Sequence, residues 1–186
     1  MAAAAVRNAR RVRRARPGVV LVCWDLDNTL VDSGSLLRLG RRLEEAIVDA
    51  EPVPNMLAFY AALGAGLPDA DHVILSARTP AMRTDTQTWL SNHGLATADN
   101  LLWFVPNAAA KVRVWQTLAK TAPLVIVDDL TYGHEAETPR VYHDLVETAR
   151  WTATVYIGVD EISRIAGDPE TISKIVSGAV TAVRGG

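Results

Sequence analysis

The sequence predicts an α/β protein built on a doubly wound, mostly parallel five-stranded sheet. Five apolar segments, several of them rich in β-branched residues, alternate along the chain with segments whose apolar residues recur at helical spacing. This alternation is typical of a parallel sheet with helices on both faces. The apolar segments are nearly unbroken, as in strands buried on both faces. With 186 residues and a hydrophobic content of 49%, the chain suits one domain with a sizeable core.

The predicted elements are bounded by residues that start or stop regular structure. Pro17 and Gly18 separate the first strand from the segment before it. Thr79 is a candidate helix cap with a proline after it, and Asn55 is a candidate cap for an earlier helix. The predicted strands span residues 19–24, 72–76, 101–105, 124–129 and 154–157, and the predicted helices span residues 35–50, 55–63, 79–93, 108–120, 138–150 and 168–183.

Positive charge is concentrated at the start of the chain. Residues 1–17 hold six arginines and no acid, whereas the remaining chain carries 13 basic and 21 acidic residues. We expect residues 1–17 to form a basic, disordered tail and residues 18–186 to form the single domain. Two alternatives stay open for the tail: an arm that binds nucleic acid or an anionic membrane, and an organellar transit peptide.

The single cysteine and the hydropathy pattern bear on the compartment. Cys23 excludes an internal disulfide framework and fits a reducing compartment. Because it lies inside the first predicted strand, we expect a buried, inert thiol. No apolar run approaches the ~20 residues of a membrane span, and the start lacks the long apolar stretch of a secretory signal. We therefore expect a cytoplasmic protein with no membrane span.

Acidic residues directly follow two of the predicted strands. Asp25 and Asp27 follow the first strand, and Asp128 and Asp129 end the fourth. Ligands of open α/β sheets bind at the carboxyl ends of strands. Like charges beside a buried edge resist ionising together, so we expect a cation there. Mg²⁺ is the predicted cofactor, because it favours carboxylate, water and phosphate oxygens.

The segment Asp25-Leu-Asp27-Asn28-Thr29-Leu30 resembles the first motif of the haloacid dehalogenase (HAD) superfamily, Asp-x-Asp-x-Thr after an apolar strand. Residues that match the later motifs occur in the same order: Ser76, Lys111, and then Asp128 with Asp129. The resemblance implies a Rossmann-like, HAD-like fold. Asn28 replaces the glycine common in the motif, and asparagine tolerates a left-handed backbone.

The resemblance also implies a role for each matching residue. Asp25 would be the nucleophile and a metal ligand, and Asp27 the general acid and base, with its main-chain carbonyl also on the metal. Because dehalogenase-type members generally lack an acid at the position of Asp27, a phosphatase is favoured. The phosphate-binding residues would be Thr29, Ser76 and Lys111, and the metal ligands Asp25, Asp27, Asp128 and Asp129. A phosphomonoester would then be hydrolysed in two steps through an aspartyl-phosphate.

The substrate class rests on weaker signals. The segments between the motifs are filled by the predicted helices and a strand, so we expect a minimal cap. An open site of this kind favours a large substrate, or a lid from a second copy in a homo-oligomer. Ser76-Ala-Arg78 is similar to the Ser-x-Arg of the phosphatase module of polynucleotide kinase–phosphatases, which would make Arg78 a second phosphate-binding residue and Arg83 a weaker candidate. A surface cap or an ion pair is the alternative for Arg78. The Arg-rich start then favours a nucleic-acid end, with a small phosphorylated metabolite as the alternative.

Two questions stay open at the level of sequence. Tyr132, His134 and Glu135 follow the last motif and either contact the substrate or metal waters, or belong to a loop without a catalytic role. The main functional hypothesis is a Mg²⁺-dependent phosphatase. Its alternatives are phosphotransfer to an acceptor other than water, and a non-catalytic phosphate-binding or regulatory module.

Overall fold

The architecture is a parallel β-sheet with helices on both faces. The computed structural model describes residues 3–8, 19–95 and 101–185. The strands in the described part of the chain are β1 Leu21–Trp24, β2 Asp71–Ser76, β3 Leu102–Phe104, β4 Leu124–Val127, β5 Thr131–Tyr132, β6 Arg140–Val141 and β7 Val155–Ile157. The main sheet has five of these strands, all parallel, in the order β3-β2-β1-β4-β7. Strands β5 and β6 pair in a separate antiparallel hairpin. The α/β class, the five strands and their parallel arrangement are therefore confirmed.

The helices follow the strands in alternation, as a parallel sheet requires. A first helical segment covers residues 3–8 and is called α1 here. The others are α2 Ser33–Arg38, α3 Leu43–Ala46, α4 Met56–Gly66, α5 Arg83–Asn92, α6 Lys111–Ala119, α7 His143–Thr152, α8 Val159–Gly167 and α9 Thr171–Arg184. Short 3-10 turns lie at Ile47–Asp49, Pro80–Met82 and Ala108–Ala110. None of the helices in the described ranges is long and apolar enough to cross a membrane.

The core has one layer on each face of the sheet. On one face, Val22 and Trp24 of β1 pack with residues of α4, α5, α8 and α9. On the other face, Leu21 and Cys23 pack with residues of α1, α6 and α7. Alternate residues of the same strand thus enter opposite layers, as the pleat of a strand dictates. Cys23 is buried, as predicted, and burial raises the pKa of its thiol to about 12.

Several predicted element boundaries differ from the structure. The helix predicted over residues 35–50 is divided into α2, α3 and a 3-10 turn, because Gly40 adopts a left-handed backbone (φ 70°) after α2. Asn55 lies before α4 without a side-chain cap bond, and its Nδ2 donates instead to the carbonyls of Ile165 and Ala166 near the end of α8. That long-range bond has no signature in the local sequence.

The segment after the fourth strand differs most from the prediction. The helix predicted over residues 138–150 begins only at His143, because Arg140–Val141 pairs with β5. Helix α8 was not predicted at all. Its first turn is supported by the Glu161 carboxylate, which accepts a hydrogen bond from the Gly158 N–H.

Part of the segment predicted to be a disordered tail is helical in the structure. Residues 3–8 are helical, and Ala5 is buried in the layer that includes α6 and α7. The run Ala2-Ala-Ala-Ala-Val6 explains this, since alanine has the highest helix propensity. Residues 9–18, which hold five of the six arginines of the predicted tail, lie outside the described residues.

Candidate functional site

The site is built on the carboxyl ends of two neighbouring strands, β1 and β4. Pairing of β1 with β4 continues one residue further, since the Asp25 N–H donates to the Val127 carbonyl at 2.9 Å. On the other side of β4, the Asp128 N–H donates to the Ile157 carbonyl at 3.1 Å. The backbone at both acids is therefore fixed by the sheet, which brings their side chains to the same edge.

Lys111 links the two strand ends electrostatically. It is the first residue of α6, and its Nζ lies 2.8 Å from Asp25 Oδ1 and 2.7 Å from Asp128 Oδ2. Burial alone would lower the pKa of this ammonium, but the charges and hydrogen bonds of the two carboxylates outweigh burial and raise it. Lys111 is thus held as a buried cation between two acids, as expected for a group that neutralises an anionic centre.

Asp25, Asp128 and Asp129 form a compact carboxylate cluster. One ligand oxygen from each lies within 4.8 Å of the others, and all three side chains are buried. Burial and the charge of Asp128 raise the pKa of Asp25 to about 7 against the opposing charge of Lys111. Burial and the charge of Asp25 likewise raise the pKa of Asp129 to about 7. The cluster therefore has less positive charge than its carboxylates require, and its oxygen donors fit a hard divalent cation.

Two threonines orient Asp129. The Thr29 hydroxyl donates to Asp129 Oδ1 and accepts from the Asp129 N–H, both at 3.1 Å. The other oxygen, Oδ2, accepts from the hydroxyl and the N–H of Thr131. Between these residues Leu130 is buried with a left-handed backbone (φ 48°), a conformation that is costly for a bulky side chain. Thr29 is fully buried, and its hydroxyl proton is committed to Asp129.

Asp27 is paired with Arg78. The guanidinium forms a bidentate contact, with Nε to Oδ2 at 2.9 Å and Nη2 to Oδ1 at 2.8 Å, and Nη1 donates to Thr86 Oγ1 at 3.1 Å. The Arg78 side chain is only 1% exposed, whereas that of Asp27 is 26% exposed. Burial raises the pKa of Asp27, but the charge and hydrogen bonds of Arg78 reverse this effect and hold the pKa below its ordinary value. Asp27 is therefore a carboxylate in this arrangement.

Asn28 gives the first loop its shape. Its backbone is left-handed (φ 58°), as the sequence led us to expect for asparagine at this motif position. The side-chain Oδ1 accepts from the Gly34 N–H at 2.7 Å, which ties the loop to the first turn of α2. A Cβ on Gly34 would lie 2.7 Å from Asn28 Oδ1, so the contact requires a glycine there.

The contacts that the structure shows for the Ser76 and Arg83 side chains are with residues outside the acid cluster. Ser76 is fully buried at the end of β2, and its Oγ accepts from the Arg78 N–H at 3.1 Å, which leaves the hydroxyl proton available to another acceptor. Arg83 lies over the ring of Phe104 at 4.9 Å from the ring centroid and donates to the Leu102 carbonyl. Its guanidinium is therefore engaged with β3.

A cavity of about 320 Å³ opens onto the acids. Its wall includes Asp25, Asp27, Lys111, Asp128 and Asp129, and it extends under the β5–β6 hairpin, where it contacts Tyr132, His134 and Glu135. These three hairpin residues, whose role was open from sequence, thus lie beside the acid cluster. The cavity falls within the range of about 300–1,000 Å³ typical of small-molecule sites.

Sequence reasoning missed several residues of the site. Thr131 follows Asp129 by two positions and could have been found, because threonine at that spacing commonly bonds an aspartate side chain. Thr86 and Tyr142 carry no such local signal: Thr86 reaches Arg78 from α5, and Tyr142 enters the site because β6 pairs with β5.

Comparison of the chain with protein-family models, with curated proteins and with solved structures finds no match.

Proposed function

We propose that this protein is a Mg²⁺-dependent phosphomonoester hydrolase of the HAD superfamily that forms an aspartyl-phosphate on Asp25. One observation carries the proposal: a buried cluster of Asp25, Asp128 and Asp129 is joined to Lys111 at the carboxyl ends of adjacent parallel strands. Acids and a lysine in this arrangement suit transfer of an anionic phosphoryl group, because the charge on both reactants is balanced by cations in the site.

Charge balance supports a divalent cation. The four aspartates of the site face two cations among the described residues, Lys111 and Arg78, so full ionisation leaves two negative charges. Burial first, and then the charge of a neighbouring carboxylate, raise the pKa of both Asp25 and Asp129 to about 7. Asp25, Asp128 and Asp129 would hold Mg²⁺, with the main-chain carbonyl of Asp27 as a further proposed ligand. When bound, the ion neutralises phosphoryl oxygens and orients them for in-line attack.

Asp25 is the nucleophile of the proposed reaction. One carboxylate oxygen of Asp25 attacks phosphorus, the bond from phosphorus to the leaving oxygen breaks, and the leaving alkoxide takes a proton from Asp27, which has first taken up that proton from solvent. In the second step a water oxygen attacks phosphorus, the Asp25 carboxylate is released, and the proton of the water passes to a base. Lys111 Nζ, at 2.8 Å from Asp25 Oδ1, keeps the attacking carboxylate oriented.

Asp27 and Arg78 act together in this scheme. As a carboxylate, Asp27 is in the form that accepts the proton of the hydrolytic water. Proton donation to the leaving group requires Asp27 first to take up a proton, and this uptake requires the bidentate pair with Arg78 to loosen. Ser76 and Lys111 complete the phosphate contacts, whereas Thr29 contributes by positioning Asp129.

Phosphate release with and without Mg²⁺ tests the proposal. We expect turnover of a generic aryl phosphate in Mg²⁺, none in EDTA, and a loss of at least about 1,000-fold in Asp25→Asn, since the nucleophile is removed. Asp69→Asn is the matched control, because it makes the same chemical change at an exposed turn residue. Release by Asp25→Asn at the rate of the Asp69→Asn control would contradict the proposal.

The same assay separates the two alternatives. Phosphotransfer to another acceptor predicts that substrate disappears faster than inorganic phosphate is formed when an alcohol is added. A non-catalytic phosphate-binding module predicts that inorganic phosphate binds in the presence of Mg²⁺ and that no phosphoester in the panel is consumed.

A further inference from the structure

A second, larger cavity adjoins the acid cluster. It has a volume of about 590 Å³, and four residues line both cavities: Asn107, Ala108, Tyr132 and Tyr142. A ligand whose phosphoryl group is at Asp25 could therefore extend past the two tyrosines into the second cavity without crossing the core. Both volumes lie in the range of small-molecule sites.

The two tyrosines form the wall shared by the cavities. Their ring centroids are 4.4 Å apart with an interplanar angle of 33°. The pair is held by the hairpin, because Tyr132 belongs to β5 and the Tyr142 N–H donates to the Leu130 carbonyl at 2.9 Å. Yet Tyr132 is 37% exposed and Tyr142 is 36% exposed. Partly exposed aromatic rings that line a concave site are suited to stack on a planar ligand.

The charged residues around the second cavity disfavour the binding of a polyanion. Among the described residues, the lining of the second cavity includes no Lys or Arg, and it carries Asp144. The hairpin adds two exposed acids, Glu135 and Glu137, against one exposed cation, Arg140. A nucleic-acid strand requires cations along its backbone, so a strand is disfavoured here. A single uncharged ring has no such requirement, and the apolar side chains of Val141 and Leu145 in the lining suit it.

We propose that the substrate is a small phosphomonoester whose leaving group carries an uncharged aromatic or heterocyclic ring, which stacks on Tyr132 and Tyr142. This inference rests on the proposed phosphatase activity and adds the substrate class to it. Tyr132 and Tyr142 are then the specificity-determining residues. The acid cluster binds the phosphoryl group common to all substrates, and the tyrosine wall selects for the ring.

The test compares two esters of similar intrinsic reactivity, benzyl phosphate and propyl phosphate, with Mg²⁺. We expect the wild type to favour benzyl phosphate, and the ratio of the two kcat/KM values to fall about tenfold in Tyr132→Ala, which is in the range measured for single stacking contacts. Tyr132→Phe should keep the ratio, because the ring is retained. Trp151→Ala is the matched control, since Trp151 is 90% exposed on α7 and lines neither cavity. Tyr142→Leu repeats the test if Tyr132→Ala does not fold.

Each outcome supports or overturns a defined claim. Equal kcat/KM for the two esters, or a ratio unchanged in both tyrosine variants, overturns the ring site and leaves the phosphatase proposal standing. No release from either ester in Mg²⁺ overturns the phosphatase proposal and the ring site with it. A mononucleotide hydrolysed at least as well as a phosphorylated oligonucleotide supports the small ring-bearing substrate, and a strong preference for the oligonucleotide overturns it.

Discussion

At the scale of single residues, Lys111 is the buried counter-ion of the acid cluster. It is 3% exposed and contacts two carboxylates that are themselves buried. A buried ion pair contributes little net stability compared with apolar packing, but the loss of one partner leaves a buried charge unpaired. The consequences of a substitution therefore depend on which member of the cluster is removed.

Removal of the lysine should destabilise the protein. We expect Lys111→Met to lower the free energy of unfolding by about 3 kcal/mol in EDTA, because Asp25 and Asp128 lose their counter-ion. Urea unfolding measures this change. Lys120→Met is the control, since Lys120 is exposed at the end of α6. Equal stability of the two variants would show that Lys111 does not neutralise the cluster.

In the absence of metal, removal of an acid from the cluster should not lower the free energy of unfolding. Burial and the charge of Asp25 raise the pKa of Asp129, so Asp129→Asn removes an acid whose ionisation is opposed, and we expect stability in EDTA at least equal to that of the wild type. With Mg²⁺ at about 100 times Kd, the Tm of the wild type should rise by about 5–10 °C.

Thermal unfolding with and without Mg²⁺ measures both effects. Asp129→Asn should lose most of the Mg²⁺ shift, and Asp69→Asn, changed at an exposed turn, should keep it. The metal-site assignment fails if Asp129→Asn shows the full shift.

At the scale of elements, two connections shape the site: the loop from β1 to α2 and the β5–β6 hairpin. The loop is closed by the bond from Gly34 N–H to Asn28 Oδ1, and the hairpin is held by the pairing of Thr131 with Val141. The sequence predicted the left-handed backbone of the loop, because asparagine at position 28 tolerates that conformation. It did not predict the hairpin, because two strands of two residues each leave no periodic pattern.

A matched pair of glycines tests the loop. Gly34→Ala places a Cβ 2.7 Å from Asn28 Oδ1, so we expect a loss of about 1 kcal/mol in stability and slower phosphate release. Gly178→Ala lies in α9, where the added Cβ has no neighbour within 4 Å, and should gain up to about 1 kcal/mol. Urea unfolding and the phosphatase assay give both readouts. If Gly34→Ala is as stable and active as Gly178→Ala, the contact of Gly34 with Asn28 does not shape the loop.

At the scale of the whole molecule, the sheet is the rigid base and the hairpin is the accessible part. The central strands β1 and β4 each pair on both sides, and their eight residues are at most 3% exposed. In contrast, Tyr132 and Arg140 of the hairpin are exposed. This difference in burial predicts a difference in local stability.

Hydrogen exchange tests that difference. We expect the amides of Val22 and Val125 in the central strands to exchange slowest, and those of the β5–β6 hairpin to exchange fastest among the strands. Mass spectrometry of peptides from each element measures the order. Slow exchange throughout the hairpin in the free protein would contradict the view of it as an accessible wall over the site.

The sequence predicted the fold class and the positions of the acids for the same physical reason. Unbroken apolar strands define a parallel sheet, and residues that follow such strands must meet at its carboxyl edge, as Asp25 and Asp128 do. It could not predict the partner of Arg78, because the bond to Asp27 joins residues 51 positions apart and depends on how β1 and β2 are paired. The contact of Tyr132 with Tyr142 was hidden for a different reason, because the two-residue strands that bring these rings together leave no periodic pattern.

The most direct test of the central claim is detection of a phosphoryl group on Asp25. Asp27→Asn should slow hydrolysis of the intermediate, so that rapid acid quench after mixing with an aryl phosphate and Mg²⁺ traps it for peptide mapping. We expect the phosphoryl group on the peptide that contains Asp25, and no such adduct in EDTA or in the double variant with Asp25→Asn. Phosphate release by the wild type, together with an adduct on another residue or an adduct that persists in Asp25→Asn, would contradict the account.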